Sequence, residues 1–578
     1  MTGAPLTAAA LLAAALATVG IGFYGIRLSR TTSDFLVASR SIGPHWNAAA
    51  ISGEYLSAAS FLGVAGLIAK YGADALWYPV GFTAGYLGLL LFVAAPLRRS
   101  GAYTVPDFAE FRLGSARLRK VAMVVVVVIC SFYLVPQYQG AGLALKTLLG
   151  LPVWLGPVAV GGIVIINVVG GGMRSITFVQ AFQYWLKLTA IAVPALALLV
   201  PFIRDGANLD GPLPPTVRQQ TTVTVETDVV VQVAEPAGIV VTGDVDGVHL
   251  QHATFPAPGR YVLAHGTTLT LAAGSATPVV AGAPSAGSDW LASGRGLGGT
   301  HPLYQVLSII IATFLGTMGL PHVLVRFYTN PDGRAARRTA LAVIALLSLF
   351  YLFPTLLGVF ARQFVPQLLI TGTADAAVLL LPSAAIGGPA GAALAALVAA
   401  GAIAAFLATS SGLLVSIAGA LSTDVLRGRV RDFRVAALIG GAVPIPLALL
   451  ASSLELSRTV GLAFAVAAST LCPLLVLGIW WRGLTIVGAA WGLAVGGVAS
   501  GVATTLAITG GIDDGLLGGW PAAVVGYPAA VTVPLAFLTM VAVSRLTASS
   551  RPPDVASIFA RMHVPERLGM GIERLPRG

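Results

Sequence analysis

Three stretches of this chain carry side chains that could hold a small ion. The first is Asn47–Gly66, NAAAISGEYLSAASFLGVAG, where Glu54 follows Ser52-Gly53 and precedes Ser57, Ser60 and Gly63. Those last three recur at the spacing of one helix face. The second is Ile309–Tyr328, IIIATFLGTMGLPHVLVRFY, with Thr317 and His322 flanking Gly319 and Pro321. The third is the hydroxyl group of residues Thr409, Ser410, Ser411 and Ser416. A carboxylate at membrane depth is costly and therefore functional or turned to a polar cavity. Hydroxyls and unpaired carbonyls suit a hard cation, and the N-terminus of an interrupted helix favours a carboxylate. The same residues also fit a small-residue packing seam, with hydroxyls bonding the backbone four residues back.

These stretches need a membrane frame, and composition supplies it. Hydrophobic residues make up 56% of the 578-residue chain and charged residues 10%, against about 25% charged in a soluble domain. Thirteen spans of roughly 20 residues are expected, near 6–26, 47–69, 76–96, 121–145, 152–171, 178–200, 302–326, 338–361, 390–421, 435–453, 459–480, 484–508 and 519–544. The run Ala8–Ile26 lacks a basic flank and is long enough to span, so it reads as a helix and not a signal peptide. Basic residues cluster in alternate loops: Arg27, Arg30 and Arg40, then Arg98 to Lys120, Arg334 to Arg338, Arg427 to Arg434, and Arg545, Arg551, Arg561 and Arg567. The positive-inside rule places these in the cytoplasm, with the N-terminus outside and the C-terminus inside. Arg326 is expected to snorkel to the cytoplasmic interface, and Asp107 and Glu110 to pair with Arg112 or Arg117. The net charge of +11 lies in these loops without interleaved aromatics, which excludes a nucleic-acid partner. Cys130 and Cys472 lie in apolar spans, so neither a disulfide framework nor a Cys/His metal cluster is expected.

The chain divides into 1–206 with six spans, 207–300, 301–544 with seven spans, and a cytoplasmic tail 545–578 with an amphipathic run near Ile558–Met562. Segment 207–300 breaks the pattern. Thr221–Val233 alternates like a strand, and Gly238–Thr242, Val248–Phe255, Arg260–Ala264 and Thr267–Ala272 follow between turn signals. A small all-β extracellular insertion is expected. It reads either as a surface for a cell-envelope partner or as a passive insertion.

The second and seventh spans are both interrupted by Gly or Pro and stand five apart. Matched interruptions in two halves point to a transporter binding site and suggest an inverted repeat of spans two to six and seven to eleven. Gln137 and Gln139 in the fourth span are further polar candidates.

Several runs resemble the sodium:solute symporter family, in its acetate/monocarboxylate permease branch. They are DFLVASRSIGPHWNAAAISGEYLSAASFLGVAG (34–66), GAYTVPDFAEFRLG (101–114), GGMRSITFVQAFQ (171–183), GTMGLPHVLVRFYT (316–329) and AAFLATSSGLLVSIAGALSTDV (404–425). The resemblance covers nearly all of the membrane part and omits Ala207–Thr300. It implies an all-α polytopic protein with a LeuT-like 5+5 core. It also implies a cation site using the carbonyls of Ala48, Ile51 and Ala405 with the hydroxyl of Thr409, to which Ser410 could add. Ala408 stands where the family often has a second hydroxyl, which keeps H+ as the alternative to Na+. Gln180 stands where many members have Asp. The solute contacts expected are Ser52, Gly53, Tyr55 and Ser57 on the second span, Gln137 on the fourth, and Thr317, Gly319 and His322 on the seventh. Glu54 is expected to stabilise the unwound segment.

The function expected is a symporter in a bacterial inner membrane that imports acetate or another short monocarboxylate with a coupling cation and no cofactor. A solute sensor or partner-docking protein on the same fold, or a symporter for another organic solute, is the alternative. No HExxH, GxSxG triad or pair of intramembrane aspartates supports an enzyme.

Overall fold

The computed structural model describes residues 4–26, 42–206, 209–225, 227–371, 374–426, 429–450, 455–509 and 518–565. Arg27, Arg30, Arg40, Arg427, Arg567, Glu226 and the start of the 34–66 motif lie outside the described residues. Within them the protein is mostly helical. Eleven segments are long and apolar enough to cross a bilayer, and Leu155–Gly171 is a shorter apolar helix. Helical pairing runs from Leu155 to Arg204, which at 1.5 Å per residue is about 75 Å. That exceeds twice the hydrocarbon thickness, and the run holds both the fifth and the sixth expected spans. The segment Ala59–Arg99 likewise holds parts of two expected spans, turned over at Gly72, whose φ is +65°.

Helix ends follow local chemistry. Ser115, Asp332 and Thr485 accept from the main-chain N–H of Leu118, Ala335 and Gly488, the usual N-terminal cap. Gly114 and Gly150 end helices in the left-handed conformation, which costs glycine nothing.

The interruptions are the main irregularities. The second span is a helix Pro44–Tyr55, a non-helical link at Ser57, a π-helical turn Ala59–Gly63 and a helix Val64–Tyr71. The helix therefore runs through Ser52-Gly53 and ends later, at Leu56. Gly53 serves a close contact instead: a Cβ there would lie 2.1 Å from the Gln180 carbonyl oxygen. The seventh span divides as expected, into Pro302–Gly319 and Pro321–Phe327 around an extended Leu320. A third interruption was not expected. The eleventh span divides at Thr470 into Leu456–Ser469 and Leu471–Trp480. It faces the seventh, since a Cβ on Gly319 would lie 2.5 Å from the Ala467 carbonyl oxygen and 2.9 Å from Cys472 N.

The insertion is a seven-stranded antiparallel sheet: β1 (Thr221–Thr224), β2 (Val229–Val233), β3 (Ile239–Val245), β4 (Val248–Thr254), β5 (Gly259–Leu263), β6 (Thr268–Leu271) and β7 (Val279–Val280). The order is β1-β6-β3-β5-β2-β7, with β4 beside β3. The single strand expected over Thr221–Val233 is two strands. β1 pairs β6 and β2 pairs β5 and β7, so the chain changes partner between them. The sheet has its own apolar core, and Ile370, from the loop before the ninth span, is buried in it. Arg218 also lies 4.2 Å from the centre of the Phe364 ring. Past the sheet, the Trp290 indole N–H donates to the Ile68 carbonyl at 2.8 Å, and Asp74 accepts from the N–H of Gly294 and Gly296. The insertion is thus clasped to the ends of the second and eighth spans.

Ile370→Ala should remove about 2–5 kcal/mol of that packing. Limited proteolysis should then cut the linkers around the sheet faster than in the parent protein; an unchanged rate would show that the contact does not hold the sheet.

Candidate functional site

The second-span interruption is surrounded by the fourth, sixth, seventh, ninth and eleventh spans. Its buried charges are paired across spans. Arg326 is fully buried and does not snorkel. Its Nε donates to Glu54 Oε2 at 2.7 Å, one Nη donates to Thr177 Oγ1 at 2.8 Å, and the other donates to Gln180 Oε1. The reason is distance along the helix: after the break at Leu320, Arg326 is only six residues in and faces Glu54 rather than lipid. Gln180 Nε2 in turn donates to the Ala408 carbonyl at 2.9 Å. Glu54 packs on Gly412, where a Cβ would lie 1.9 Å from Oε1. The carboxylate therefore ties the second, sixth, seventh and ninth spans together.

The main-chain groups freed by the break have side-chain partners. Gln137 Oε1 accepts from the N–H of Ala58 at 2.9 Å, and Thr409 Oγ1 donates to the Glu54 carbonyl at 2.6 Å. Lys187 Nζ donates to the carbonyls of Gly53 and Leu56, the second at 2.7 Å. Lys187 was missed in the sequence, although a lysine inside an apolar span is itself a signal of function.

Of the expected solute contacts, the structure brings several together on one side of the break. Tyr55 OH and Thr317 Oγ1 share a hydrogen bond of 2.8 Å, and Tyr55 OH also reaches the Phe82 carbonyl at 3.0 Å. The His322 ring stands edge-on to Tyr133, centroids 5.3 Å apart, and Tyr133 lies beside Ser57. Tyr133 and Tyr55 both pack on Phe464. Both nitrogens of His322, and the hydroxyls of Ser52, Ser410 and Ser411, are buried without a hydrogen-bond partner among the described residues. Buried polar groups are normally paired, so these atoms keep hydrogen-bonding capacity that the described residues do not use. Gly319 lies apart, packed on the eleventh span. Of the expected cation ligands, the carbonyls of Ala48, Ile51 and Ala405 lie inside unbroken helix, where helical N–H groups already use them.

Both faces are closed by ion pairs. On the face carrying the sheet, Lys70 meets Glu455 at 3.2 Å and donates to the Thr371 carbonyl at 3.3 Å. Beside them Asp375 Oδ2 accepts from the N–H of Leu456 at 2.9 Å. Burial, together with the Glu455 charge, pushes the Asp375 carboxyl up to about 7. On the opposite face Arg119 pairs with Asp107 at 3.1 Å and Glu110 at 2.7 Å, and also with Asp424. Asp107 and Glu110 thus use Arg119, not Arg112 or Arg117. Arg112 is turned inward, donating to the carbonyls of Gly478 and Trp481. The tail helix Val555–His563 docks on this face with Phe559 under Arg112.

The family model for the sodium:solute symporter family matches residues 35–209 and 276–496. The unmatched stretch between them holds β1 to β6. The chain is 30% identical over 537 residues to an uncharacterized symporter, YwcA, of Bacillus subtilis, covering 90% of each chain. It is 30% identical over 573 residues to a monocarboxylic acid transporter of Corynebacterium glutamicum, covering 95% of this chain and 93% of that one. In structure it is similar to a Na+-coupled sialic acid symporter solved in a substrate-bound outward-open state, with TM-score 0.60 and 15% identity, over 93% of this chain and 98% of that one. MHP1, a nucleobase-cation-symport-1 family transporter solved in a closed conformation, has TM-score 0.50 and 14% identity, over 91% and 98%.

Removing one partner of a buried ion pair strands the other charge and costs about 3–5 kcal/mol. Glu54→Gln and Arg326→Gln should each lower the Tm of the detergent-solubilised protein, and the double variant should lose less than the sum. Strict additivity would show that the two charges are not coupled. The Asp375 carboxyl holds its proton more tightly in the fold than at its ordinary value of about 4. Its contribution is therefore fully present below pH ~4 and is lost as pH rises through about 7. Tm should fall between pH 5 and 8, and Asp375→Asn should flatten that slope; a parallel slope in the variant would assign the dependence elsewhere.

Proposed function

The chain belongs to the sodium:solute symporter family, and we propose that it is a cation-coupled symporter importing acetate or another short monocarboxylate by alternating access. It is an integral membrane transporter and not an enzyme. The observation that carries the reading is the meeting of the second- and seventh-span interruptions. Tyr55 and Thr317 bond across them, and His322 offers two unpartnered nitrogens beside Tyr133 and Ser57. These polar groups lie among the rings of Tyr55, Tyr133 and Phe464, a setting that suits a short solute with one polar end. The Corynebacterium glutamicum relative, a monocarboxylic acid transporter similar over nearly the whole chain, supports this solute class.

On this reading the core is two inverted repeats of five spans, the second span pairing with the seventh. The N-terminus is outside and the C-terminus in the cytoplasm of a bacterial inner membrane. The sheet then stands outside the cell, open to a cell-envelope partner. The Lys70–Glu455 pair closes the outer path, and Arg119 with its three carboxylates closes the inner one. Solute contacts on this reading are Ser52, Tyr55, Ser57, Gln137, Thr317 and His322, with Gly53 and Gly319 giving the close span-to-span approaches that frame them. A Na+ would take the hydroxyls of Thr409 and Ser410, and the carbonyls of Ala48, Ile51 and Ala405 would have to share with it the lone pair that their helical hydrogen bonds leave. Proton coupling is the second reading, favoured by the ammonium already held at the break carbonyls.

The test is labelled acetate uptake by proteoliposomes under separate inward Na+ and proton gradients, with propionate, pyruvate, lactate, glucose and proline as competitors. Accumulation above equilibrium should require one of the two gradients, and the short monocarboxylates should compete. Equilibration without a gradient, or competition by glucose or proline alone, would overturn the reading.

A further inference from the structure

We propose that Lys187 is the proton carrier of this transporter, its ammonium standing at the second-span break in place of a free coupling cation. The inference rests on the symporter reading above and fixes its coupling ion. A helix that ends inside the membrane leaves its last carbonyls without helical partners. Such ends carry partial negative charge, and in transporters they coordinate the coupling cation. Here the helix Pro44–Tyr55 ends in this way, and the carbonyls of Gly53 and Leu56 are taken by Lys187 Nζ. The carbonyls that the break exposes are taken by a positive charge tethered to the sixth span.

The charges around it give that ammonium a job. Glu54 is the charged group facing it from the second span, and Glu54 is already bonded to Arg326. Tyr184 lies one turn before it on its own helix. On the fourth, eighth and tenth spans packed against that helix the charged residues (Arg117 to Lys120 and Lys146, Arg334 to Arg338 and Arg362, Arg431 to Arg434) lie at the span ends. The titratable groups between them, Cys130, Tyr133 and Tyr351 among them, are neutral in their ordinary protonated form. The first span, Ala4–Ile26, has no charged side chain, and the charged residue of the ninth, Asp424, is at its end and paired with Arg119. Glu54 and Arg326 cancel, which leaves Lys187 as one uncompensated positive charge in a fully buried core. A monocarboxylate arriving from outside brings that sum to zero. When the anion leaves to the cytoplasm the excess returns, and Lys187 relieves it by releasing its proton to the same side. The neutral amine resets and takes a new proton from outside. One proton and one monoanion cross together, and no net charge moves. Arginine could not do this, because it keeps its proton, whereas lysine can lose it.

The test uses the full chain in proteoliposomes with labelled acetate, the rate in protein-free vesicles being subtracted. For the parent protein, an inward proton gradient should drive accumulation, and a Na+ gradient at equal pH should not. Lys187→Arg fixes the charge: acetate–acetate exchange should persist, while net proton-driven uptake falls at least tenfold. A residue that merely capped the carbonyls would let the Arg variant do both. Lys187→Met, read by the same net uptake, serves if the Arg variant does not insert, and it too should lose proton-driven accumulation. Accumulation driven by Na+ at equal pH, or proton-driven uptake retained in these variants, would overturn the proposal and leave the symporter reading intact. Absence of acetate exchange in the parent protein would instead overturn the symporter reading.

Discussion

A helix interrupted inside a bilayer must find partners for the main-chain groups it frees, because lipid offers none. The arrangement around Leu56 follows from that constraint. Gln137 takes the N–H of Ala58, Thr409 reaches the Glu54 carbonyl, and Lys187 takes the carbonyls of Gly53 and Leu56. Each partner comes from a different span. The break is therefore the point at which the fourth, sixth and ninth spans are fastened to the second, and a rearrangement of any of them is felt there.

Charge burial works in the same direction. Arg326 and Glu54 are each almost fully buried, a state that is tolerable only with paired and hydrogen-bonded charges. Thr177 and Gln180 complete the arginine's donors. The pair links the two interrupted spans, so the polar groups on either side of it, Tyr55 with Thr317 and His322 with Tyr133, keep a common frame. The ion pairs at the two faces join the ends of different spans, Lys70 of the second to Glu455 before the eleventh and Arg119 of the fourth to Asp424 of the ninth.

The sheet insertion adds a second layer. Its strands β1 to β6 lie between the two stretches matched by the family model, yet it is not loosely appended. Ile370 of the loop before the ninth span is part of the sheet's apolar core, and that loop also supplies the Thr371 carbonyl to Lys70. The sheet and this ion pair therefore share a segment of chain.

How much of this was legible depends on whether the signal was local. The seventh-span break could be read directly, because proline at 321 has no N–H to continue the helix. The polytopic class, the insertion and the family motifs were equally local, since composition, alternation and short runs carry them. The second-span break was displaced from the reading because glycine has two uses. In the sequence Gly53 reads as an interruption of the second span, but its missing side chain admits the Gln180 carbonyl of the sixth span. The eleventh-span break at Thr470 is marked only by Pro473, three residues on, whose missing N–H leaves the Ser469 carbonyl without a helical donor. Its place against the seventh span is a matter of packing.

The sequence by itself determined that the chain spans a membrane, that a β insertion divides it and which family it joins, because hydropathy, alternation and motif are properties of neighbours along the chain. Only the tertiary structure decided which charges are partners. Arg326 meets Glu54 272 residues away, and Lys187 meets the break from 131 and 134 residues away. Pairings of that range depend on which helix faces meet, and no local pattern encodes them.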